Sequence, residues 1–255
     1  MSHFLIFIFG LSVGSFLNAA IYRFKKKKTI LIDRSKCPKC GETLKWYDLI
    51  PLLSFIFLLG KCRYCHKKIN WQYPLVEIFT GIVFLLIFNF SIFSTDNQFL
   101  SLAYYLIIAS FLIFIFVYDL KYYLILDKVI YPAIGISILY LIFLNFNSWS
   151  SYLFSAVLPA GFFLLLILVS RGEWMGLGDV KLAFLMGLIL DYPGILIALF
   201  LSFLSGAGVG LFLIASGKKE MKSEIPFGPF LAGSTILVLL FKPFFIDLVN
   251  NLFLF

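Results

Sequence analysis

The sequence predicts an all-α, polytopic membrane protein, and its composition and its hydropathy pattern both indicate this class. Of the 255 residues, 62% are hydrophobic and 13% are charged, and the mean hydropathy is +1.00. The charged share is about half of that found in soluble domains. Apolar runs close to the roughly 20 residues that cross a bilayer as a helix recur from one end of the chain to the other.

Each predicted helix corresponds to one uninterrupted apolar run. Seven runs lie at residues 4–22, 75–93, 99–118, 129–146, 152–170, 194–216 and 229–241, and a shorter one lies at 180–190. A membrane β-barrel is excluded because its strands read as alternating segments of about ten residues. The first run has no basic residue before it and Lys25–Lys28 after it, which favours a retained helix over a cleaved signal. We expect about eight transmembrane helices with both termini outside.

The basic residues predict the orientation of these helices. Residues 23–73 hold 13 of the 21 Lys and Arg residues, so the positive-inside rule places this segment in the cytoplasm. The eight-helix arrangement then leaves only Lys242 on the outer side. Positive charge that clusters between apolar runs reports topology, so no nucleic acid is expected as a partner. Contact of the cationic loops with anionic lipid headgroups is expected instead.

All four cysteines lie in the first cytoplasmic segment, as two CxxC pairs: Cys37, Cys40, Cys62 and Cys65. Two such pairs at this separation are typical of a tetrahedral zinc ribbon, in which four thiolates close the coordination sphere of a structural ion. Two disulfides are the alternative, but a cytoplasmic, reducing location disfavours them. Four unligated thiols explain the paired spacing poorly. The segment therefore predicts structural zinc.

Two aspartates follow or precede apolar runs at what the topology predicts to be one side of the membrane. Asp119 ends the run at 99–118, and Asp179 lies in the sequence Gly176-Leu177-Gly178-Asp179. Two neighbouring carboxylates can share a proton and act as base and acid in peptide hydrolysis. Glycines in the same segment permit unusual backbone angles and close approach of a second chain. The pattern permits an intramembrane aspartic protease with Asp119 and Asp179 as its pair, one of several roles open to these residues.

Purely structural roles for these residues stay open on sequence alone. A lone aspartate at a membrane boundary is often an interfacial anion, and two small residues in a membrane helix often serve packing. Asp127 competes with Asp119 because it lies near the same boundary. Glu77 is either a carboxylate satisfied within the packing or part of a second site, and Asn18 is a candidate for interhelical hydrogen bonding.

Several segments taken in order resemble the type IV prepilin peptidase family, the leader peptidase/N-methyltransferases, which are GxGD-type intramembrane proteases. The first helix carries Gly14-Ser15-Phe16-Leu17-Asn18, and the two CxxC pairs flank the stretch Trp46–Ser54. Tyr73–Glu77 follows the second pair, Gly176–Leu182 matches the GxGD motif, and Pro226–Phe230 matches a further signature. The similarity extends over almost the whole chain.

The resemblance implies a function and a location. It assigns the two catalytic aspartates to Asp119 and Asp179 and the active-site loop to Gly176 and Gly178. It implies cleavage of a short basic leader from type IV prepilins or pseudopilins at the cytoplasmic face of a bacterial inner membrane. Methylation of the new N-terminal residue, commonly Phe, with S-adenosylmethionine is also implied. Leu126 replaces the family's usual proline before Asp127, and Leu177 replaces its usual methionine; neither change removes a carboxylate.

The sequence divides into a first helix at 1–23, a cysteine insert at 24–73 associated with methyl transfer, and a peptidase domain at 74–255. Two rival functions remain. A transporter that uses the aspartates as ion or proton sites explains carboxylates in the membrane but not the cysteine insert. A non-catalytic assembly module explains the insert but not the two aspartates.

Overall fold

A computed structural model describes residues 2–26, 35–89, 98–144, 149–217 and 225–253. These residues form helices and irregular loops, and the described part of the chain contains no strand beyond two isolated bridges in the cysteine insert. Contacts within the chain separate two compact units, Met1–Ile92 and Phe93–Phe255. An all-α architecture with a small insert after the first helix is confirmed.

The first unit consists of two packed membrane helices and the insert that connects them. Helix α1 spans Ser2–Lys25 and helix α3 spans Gln72–Asn89, and the insert between them contains the short helix α2 at Leu53–Phe57. Glycines let the two long helices approach closely, since a Cβ at Gly14 would lie 2.7 Å from the Cα of Glu77. Small residues at a helix contact are the usual means of close packing in membranes.

The described residues of the second unit form six helices. They are α4 (Gln98–Tyr122), α5 (Asp127–Leu144), α6 (Trp149–Ser170), α7 (Leu177–Leu190), α8 (Gly194–Ala215) and α9 (Gly228–Phe253). Each coincides with a predicted apolar run, and α9 continues beyond the predicted end at residue 241. Phe241 has non-helical angles and Pro243 follows it, so α9 kinks there. A proline ring blocks a backbone hydrogen bond of the preceding turn, which accounts for the kink.

Helix α7 lies at the centre of the second unit and is its shortest helix. Fourteen residues rise about 21 Å, less than the roughly 30 Å hydrocarbon layer. It packs against α5, α6, α8 and α9, and nearly every residue after its first turn is buried. A short helix is tolerated at membrane depth where protein surrounds it. Among the described residues, the seven other long helices have the length and composition of membrane spans.

The contact between α6 and α7 depends on a glycine. A Cβ at Gly187 would collide with the carbonyl oxygen of Ser155 and with the Cα of Ala156. The two backbones therefore touch directly at this level. This close contact holds the short α7 inside the unit and fixes its depth.

Lys242, the one cation that the predicted topology leaves on the outer side, forms an ion pair in the structure. The Nζ of Lys242 lies 2.6 Å from the carboxylate of Asp191, in the turn that ends α7. This turn separates α7, which ends at Leu190, from α8, which begins at Gly194. An ion pair lowers the cost of placing a lysine near apolar surroundings. The pair also ties the kinked region of α9 to the end of α7.

Candidate active site and cysteine cluster

Asp119 lies in the last turn of α4, and only 5% of the residue is exposed. Its carboxylate accepts a hydrogen bond from the backbone N–H of Gly228, the first residue of α9. The first N–H groups of a helix have no partner within the helix and favour negative charge nearby. The N-terminus of α9 therefore holds the Asp119 carboxylate in place.

Asp179 is the third residue of α7 and is partly buried. Its backbone N–H donates to the Gly176 carbonyl at 3.1 Å. Its side chain belongs to the first turn of α7, where the unpaired N–H groups of a helix start favour negative charge. Asp179 thus lies at a helix N-terminus, as the Asp119 carboxylate does.

The two aspartates lie on either side of Ile125, which contacts Gly178, next to Asp179, and Gly228, which contacts the Asp119 carboxylate. Although 59 residues lie between them in the sequence, α9 packs against both α4 and α7 and brings their ends together. Two carboxylates that lie close to each other can share one proton. The geometry can support acid–base chemistry at this point, with both groups at one end of the helices that carry them.

Ile125 fills the space between the two helix starts. A Cβ at Gly178 would lie 3.0 Å from the Cβ of Ile125, and a Cβ at Gly228 would lie 3.1 Å from its Cδ1. One side chain in the loop between α4 and α5 therefore contacts the beginnings of both α7 and α9. No sequence pattern pointed to this role, because an isoleucine beside an apolar run is unremarkable in composition.

The glycines of the Gly176–Asp179 segment have ordinary backbone angles, and what they provide is room for neighbouring atoms. Gly176 has φ −90° and ψ 156°, which any residue adopts, and Gly178 lies within α7. Gly178 permits the close approach of Ile125, as its type suggests. A Cβ at Gly176 would meet only the backbone nitrogen of Gly178, at 3.9 Å. Neither glycine adopts the unusual backbone angles that its type permits, and the neighbour that approaches Gly178 belongs to this chain. Close approach of a second chain at these glycines stays a prediction.

Asp127, the competitor of Asp119, lies in a different environment. Its carboxylate is 60% exposed and forms an ion pair with the Nζ of Lys181, which lies in the first turn of α7 together with Asp179. The same Nζ lies 4.9 Å from the centre of the Tyr131 ring. Asp127 thus has a cationic partner at the surface, whereas Asp119 is buried and held by a backbone amide.

The cysteine insert brings all four sulfur atoms together. The Sγ atoms of Cys37, Cys40, Cys62 and Cys65 all lie within 4.8 Å of one another, and those of Cys37 and Cys65 are 4.0 Å apart. Four sulfurs at about 2.3 Å from a tetrahedral zinc ion would be about 3.8 Å apart. None of these cysteines forms a disulfide. The cluster can hold one metal ion, and its four-sulfur donor set fits zinc.

The two CxxC turns have nearly the same backbone hydrogen bonds. In the first, Cys37 N–H donates to Glu42 and Gly41 N–H donates to Cys37; in the second, Cys62 and His66 make the equivalent bonds to Lys67 and Cys62. Gly41 and His66 occupy the same position in each turn and both have positive φ, at 78° and 54°. The two halves of the cluster are therefore similar turns that face each other.

A small polar group connects the second CxxC turn to the segment before α2. Arg63 Nε donates to the Asp48 carboxylate at 2.8 Å, and the Tyr64 hydroxyl donates to it at 3.2 Å. Burial opposes ionisation of Asp48, but Arg63, the backbone N–H of Lys45 and Tyr64 outweigh it and hold the pKa of the carboxyl below its usual range. The charged pair fixes the chain between the two cysteine pairs.

Glu77 and Asn18 are both buried and both satisfied. Glu77 accepts the backbone N–H of Leu52 at 2.9 Å and a hydrogen bond from the Ser15 side chain. Asn18 donates to the carbonyl of Tyr73 at 3.0 Å. Leu52 has φ 59°, which is costly for a leucine, so the bond from Glu77 helps to hold an unfavourable turn. These contacts support the packing interpretation of both residues.

Gly228 is the site residue whose role sequence reasoning missed. The segment Pro226–Phe230 stood out as a signature, but its function did not follow from composition. A Cβ at Gly228 would lie 2.5 Å from Asp119 Oδ2, so any larger residue at this helix start would displace the Asp119 carboxylate. The sequence contains one signal of this role: Gly228 stands just before a predicted helix, on the side of the membrane that is predicted to carry the aspartates.

Comparisons with known proteins identify the family of the chain. The model for the Bacterial Peptidase A24 N-terminal domain matches residues 8–90, and that for the Type IV leader peptidase family matches residues 106–211. The prepilin leader peptidase/N-methyltransferase of Bacillus subtilis is 33% identical over 241 residues, 93% of each chain. This chain belongs to the type IV leader peptidase family. It is therefore an enzyme, a peptidase embedded in a membrane.

Further members of the leader peptidase family show the same extent of similarity. The prepilin leader peptidase/N-methyltransferase of Pseudomonas aeruginosa is 29% identical over 253 residues, covering 88% of this chain and 85% of its own. That of Aeromonas hydrophila is 29% identical over 258 residues, covering 89% and 87%. No solved structure matches the chain. The matched range 8–90 contains the cysteine cluster, and the range 106–211 contains both Asp119 and Asp179.

Proposed function

We propose that this enzyme removes the leader peptide of prepilins or pseudopilins with Asp119 and Asp179 as its catalytic pair. The observation that carries the proposal is the convergence of these two carboxylates at the ends of α4 and α7, in a chain of the leader peptidase family. The named relatives are prepilin leader peptidases, which supports prepilins as the substrate class. Type IV pili and type II secretion are the systems that use such substrates.

The chemistry needs one base and one acid. One carboxylate takes a proton from a water molecule as the water oxygen attacks the scissile carbonyl carbon. The other carboxyl donates a proton to the carbonyl oxygen, and the tetrahedral intermediate then breaks at the C–N bond with protonation of the leaving amine. The pair titrates as one coupled system, so neither role belongs to one residue alone.

The environment of each aspartate supports this pairing over one that includes Asp127. Asp119 is buried and accepts a hydrogen bond only from a backbone amide among its described contacts, so its charge has no cationic partner there. Asp127 is exposed and paired with Lys181.

We place the pair at the cytoplasmic face of the bacterial inner membrane. The support is the positive-inside rule applied to residues 23–73, with α4 and α7 ending and beginning on the same side as that segment. A cytoplasmic site meets a prepilin before its export, where a short basic leader that ends in glycine remains accessible. Lipid is then a constant neighbour of the enzyme, and no nucleic acid takes part.

We also propose N-methylation of the new N-terminal residue, with S-adenosylmethionine as the donor. The support is the name of the relatives, which joins both activities. We assign this activity to the region around the insert at 24–73 and peptide cleavage to the region at 74–255. Four cysteine thiolates leave a zinc ion no open position, so zinc stabilises the insert and takes no part in either reaction.

One assay tests the cleavage proposal. Purified protein in detergent is incubated with a prepilin, and loss of the leader is followed by mass. Asp119→Asn and Asp179→Asn should each lower the rate by about 100-fold or more, the usual contribution of a general acid or base. The matched control Asp127→Asn should cleave at close to the wild-type rate. Equal activity of all three variants would show that the pair is not catalytic.

Two further readouts separate the remaining functions. Added S-adenosylmethionine should increase the mass of the mature pilin N-terminus by one methyl group, and no increase would leave a peptidase alone. If the enzyme is instead a transporter, vesicles should show ion flux that depends on Asp119 and Asp179 while the prepilin stays intact. Flux without cleavage would replace the proposed function.

A further inference from the structure

The cysteine insert exposes an apolar surface that the peptidase mechanism does not use. Its core is the segment 49–59, Leu-Ile-Pro-Leu-Leu-Ser-Phe-Ile-Phe-Leu-Leu, which contains no charged residue. The side chains that project from it, with two tryptophans beside it, are strongly exposed; they are Trp46, Leu49, Ile50, Leu53, Ile56, Phe57, Leu59 and Trp71. We call these eight residues the insert apolar patch. A contiguous exposed patch of this kind marks an interaction surface.

The patch is held in a fixed shape from within the insert. The rings of Phe55 and Trp71 lie 5.3 Å apart in an edge-to-face arrangement, and Phe55 also packs beside Gly60. The Arg63–Asp48 pair fixes the chain directly before the segment 49–59, and Glu77 accepts a hydrogen bond from the backbone of Leu52 within that segment. The most exposed residues are Leu59 at 84% and Phe57 at 79%. These large side chains are therefore exposed on a part of the insert that its own contacts hold in place, and they are not part of its core.

Both ends of the insert enter membrane helices. Helix α1 ends at Lys25 and helix α3 begins at Gln72, and both are candidate spans. The insert stays near the bilayer surface, since its described part at residues 35–71 leads directly into the spanning helix α3. Cations surround the apolar segment: residues 35–73 carry seven Lys and Arg against two acidic residues, a net charge of +5. Lys45 and Lys61 lie just outside its two ends.

We propose that the insert apolar patch enters the headgroup–acyl boundary of the adjacent leaflet, with its flanking cations on anionic headgroups. A surface with exposed Trp, Phe and Leu side chains and a basic surround is what interfacial membrane segments present. Tryptophan in particular prefers this boundary. This contact would keep the cysteine cluster close to the membrane surface. Such contact with lipid does not depend on the assignment of the catalytic pair.

Depth-dependent quenching of tryptophan emission tests the proposal. The full chain carries four tryptophans, so a reporter variant with Trp149→Phe and Trp174→Phe leaves only Trp46 and Trp71. It is placed in nanodiscs of phosphatidylcholine and phosphatidylglycerol with a spin label either near the headgroup or near the chain end. The shallow label should quench more than the deep one, and emission should shift to shorter wavelength than that of a water-exposed indole.

Two variants of the reporter separate apolar insertion from charge. Ile56→Glu combined with Phe57→Glu should abolish most of the shallow quenching while metal content stays at the wild-type level, which shows that the insert is folded. Lys67→Glu makes the same change in net charge outside the patch and should keep the quenching. Loss of quenching in Lys67→Glu to the same degree would mean that charge alone holds the insert, and the proposal would be wrong.

The remaining outcomes also decide the question. Quenching by neither label would mean that water or protein covers the patch, which overturns the proposal. Absence of quenching in lipid alone, followed by a spectral shift on addition of a prepilin, would assign the surface to substrate instead. Preferential quenching by the shallow label in the absence of any prepilin supports lipid as the partner.

Discussion

The backbone N–H of Gly228 donates to the carboxylate of Asp119, and this bond joins the end of α4 to the beginning of α9. The two residues are far apart in sequence, yet a single Cβ at position 228 would lie 2.5 Å from Asp119 Oδ2. Any residue except proline would supply this donor. Glycine at this helix start also leaves room for the carboxylate that the donor holds.

Gly228→Ala should displace the Asp119 carboxylate and lower the rate of prepilin cleavage. A misplacement of about 1 Å at a catalytic group can cost about 100-fold, so we expect a loss of that order. Leader removal is the measurement, made beside a melting curve in detergent. Gly208→Ala is the matched control, because a Cβ at that position has no atom within 4 Å. Wild-type cleavage by Gly228→Ala would contradict the role of this contact.

Gly187→Ala should destabilise the second unit, since the added Cβ would collide with the backbone of α6 at Ser155 and Ala156. Overpacking of a close contact costs about 1–3 kcal/mol. The melting temperature in detergent should fall clearly below that of the wild type. Gly161→Ala, in α6 with open space around its Cβ, should melt at or above the wild-type temperature. Equal melting of both variants would mean that α6 and α7 do not touch at Gly187.

The helices and the cysteine cluster could be predicted from the sequence because their signals are local. Apolar runs at 99–118 and 194–216 correspond to α4 and α8, and the two CxxC pairs correspond to four converged sulfurs. The segment at 180–190 was also predicted as a helix, but its burial on all sides was not. Hydropathy cannot distinguish a helix that faces lipid from one that other apolar helices surround.

The architecture around the aspartates could be predicted only in part. The charge distribution predicted that Asp119 and Asp179 lie on one side of the membrane. In the structure both lie next to residues that contact Ile125. The choice of Asp119 over Asp127 needed tertiary contacts, because Lys181 comes from α7 and pairs with Asp127 from α5. The donor to Asp119 comes from α9, and no local pattern links residues so distant in the chain.

Lys181→Met should have a small effect, because the Lys181–Asp127 pair is largely solvent-exposed at Asp127. Exposed ion pairs contribute about 0–1 kcal/mol to stability. A double-mutant cycle with Asp127→Asn, measured by melting in detergent, should give a coupling within that range. Cleavage should persist in both single variants and in the double variant. Loss of cleavage in Asp127→Asn but not in Asp119→Asn would reverse the assignment of the catalytic pair.

Cys62→Ser should remove the metal from the insert and expose it to proteolysis. Purified wild-type protein should carry about one zinc ion per chain, because four thiolates complete a tetrahedral site. Metal supplies much of the folding free energy of so small a segment, so trypsin should cut the variant within the insert more readily. Zinc content by mass spectrometry and the rate of tryptic cleavage measure the two effects.

His66→Asn is the control that identifies the donor set. His66 follows Cys65 directly and has φ 54°, a conformation that asparagine tolerates better than most residues. The substitution removes the imidazole without straining the turn, so zinc content and trypsin resistance should stay at wild-type levels. A fall in zinc equal to that of Cys62→Ser would make His66 a ligand and contradict the four-cysteine site. Retention of zinc in His66→Asn together with its loss in Cys62→Ser would leave the four sulfurs as the ligands, since these are the donors that converge within 4.8 Å.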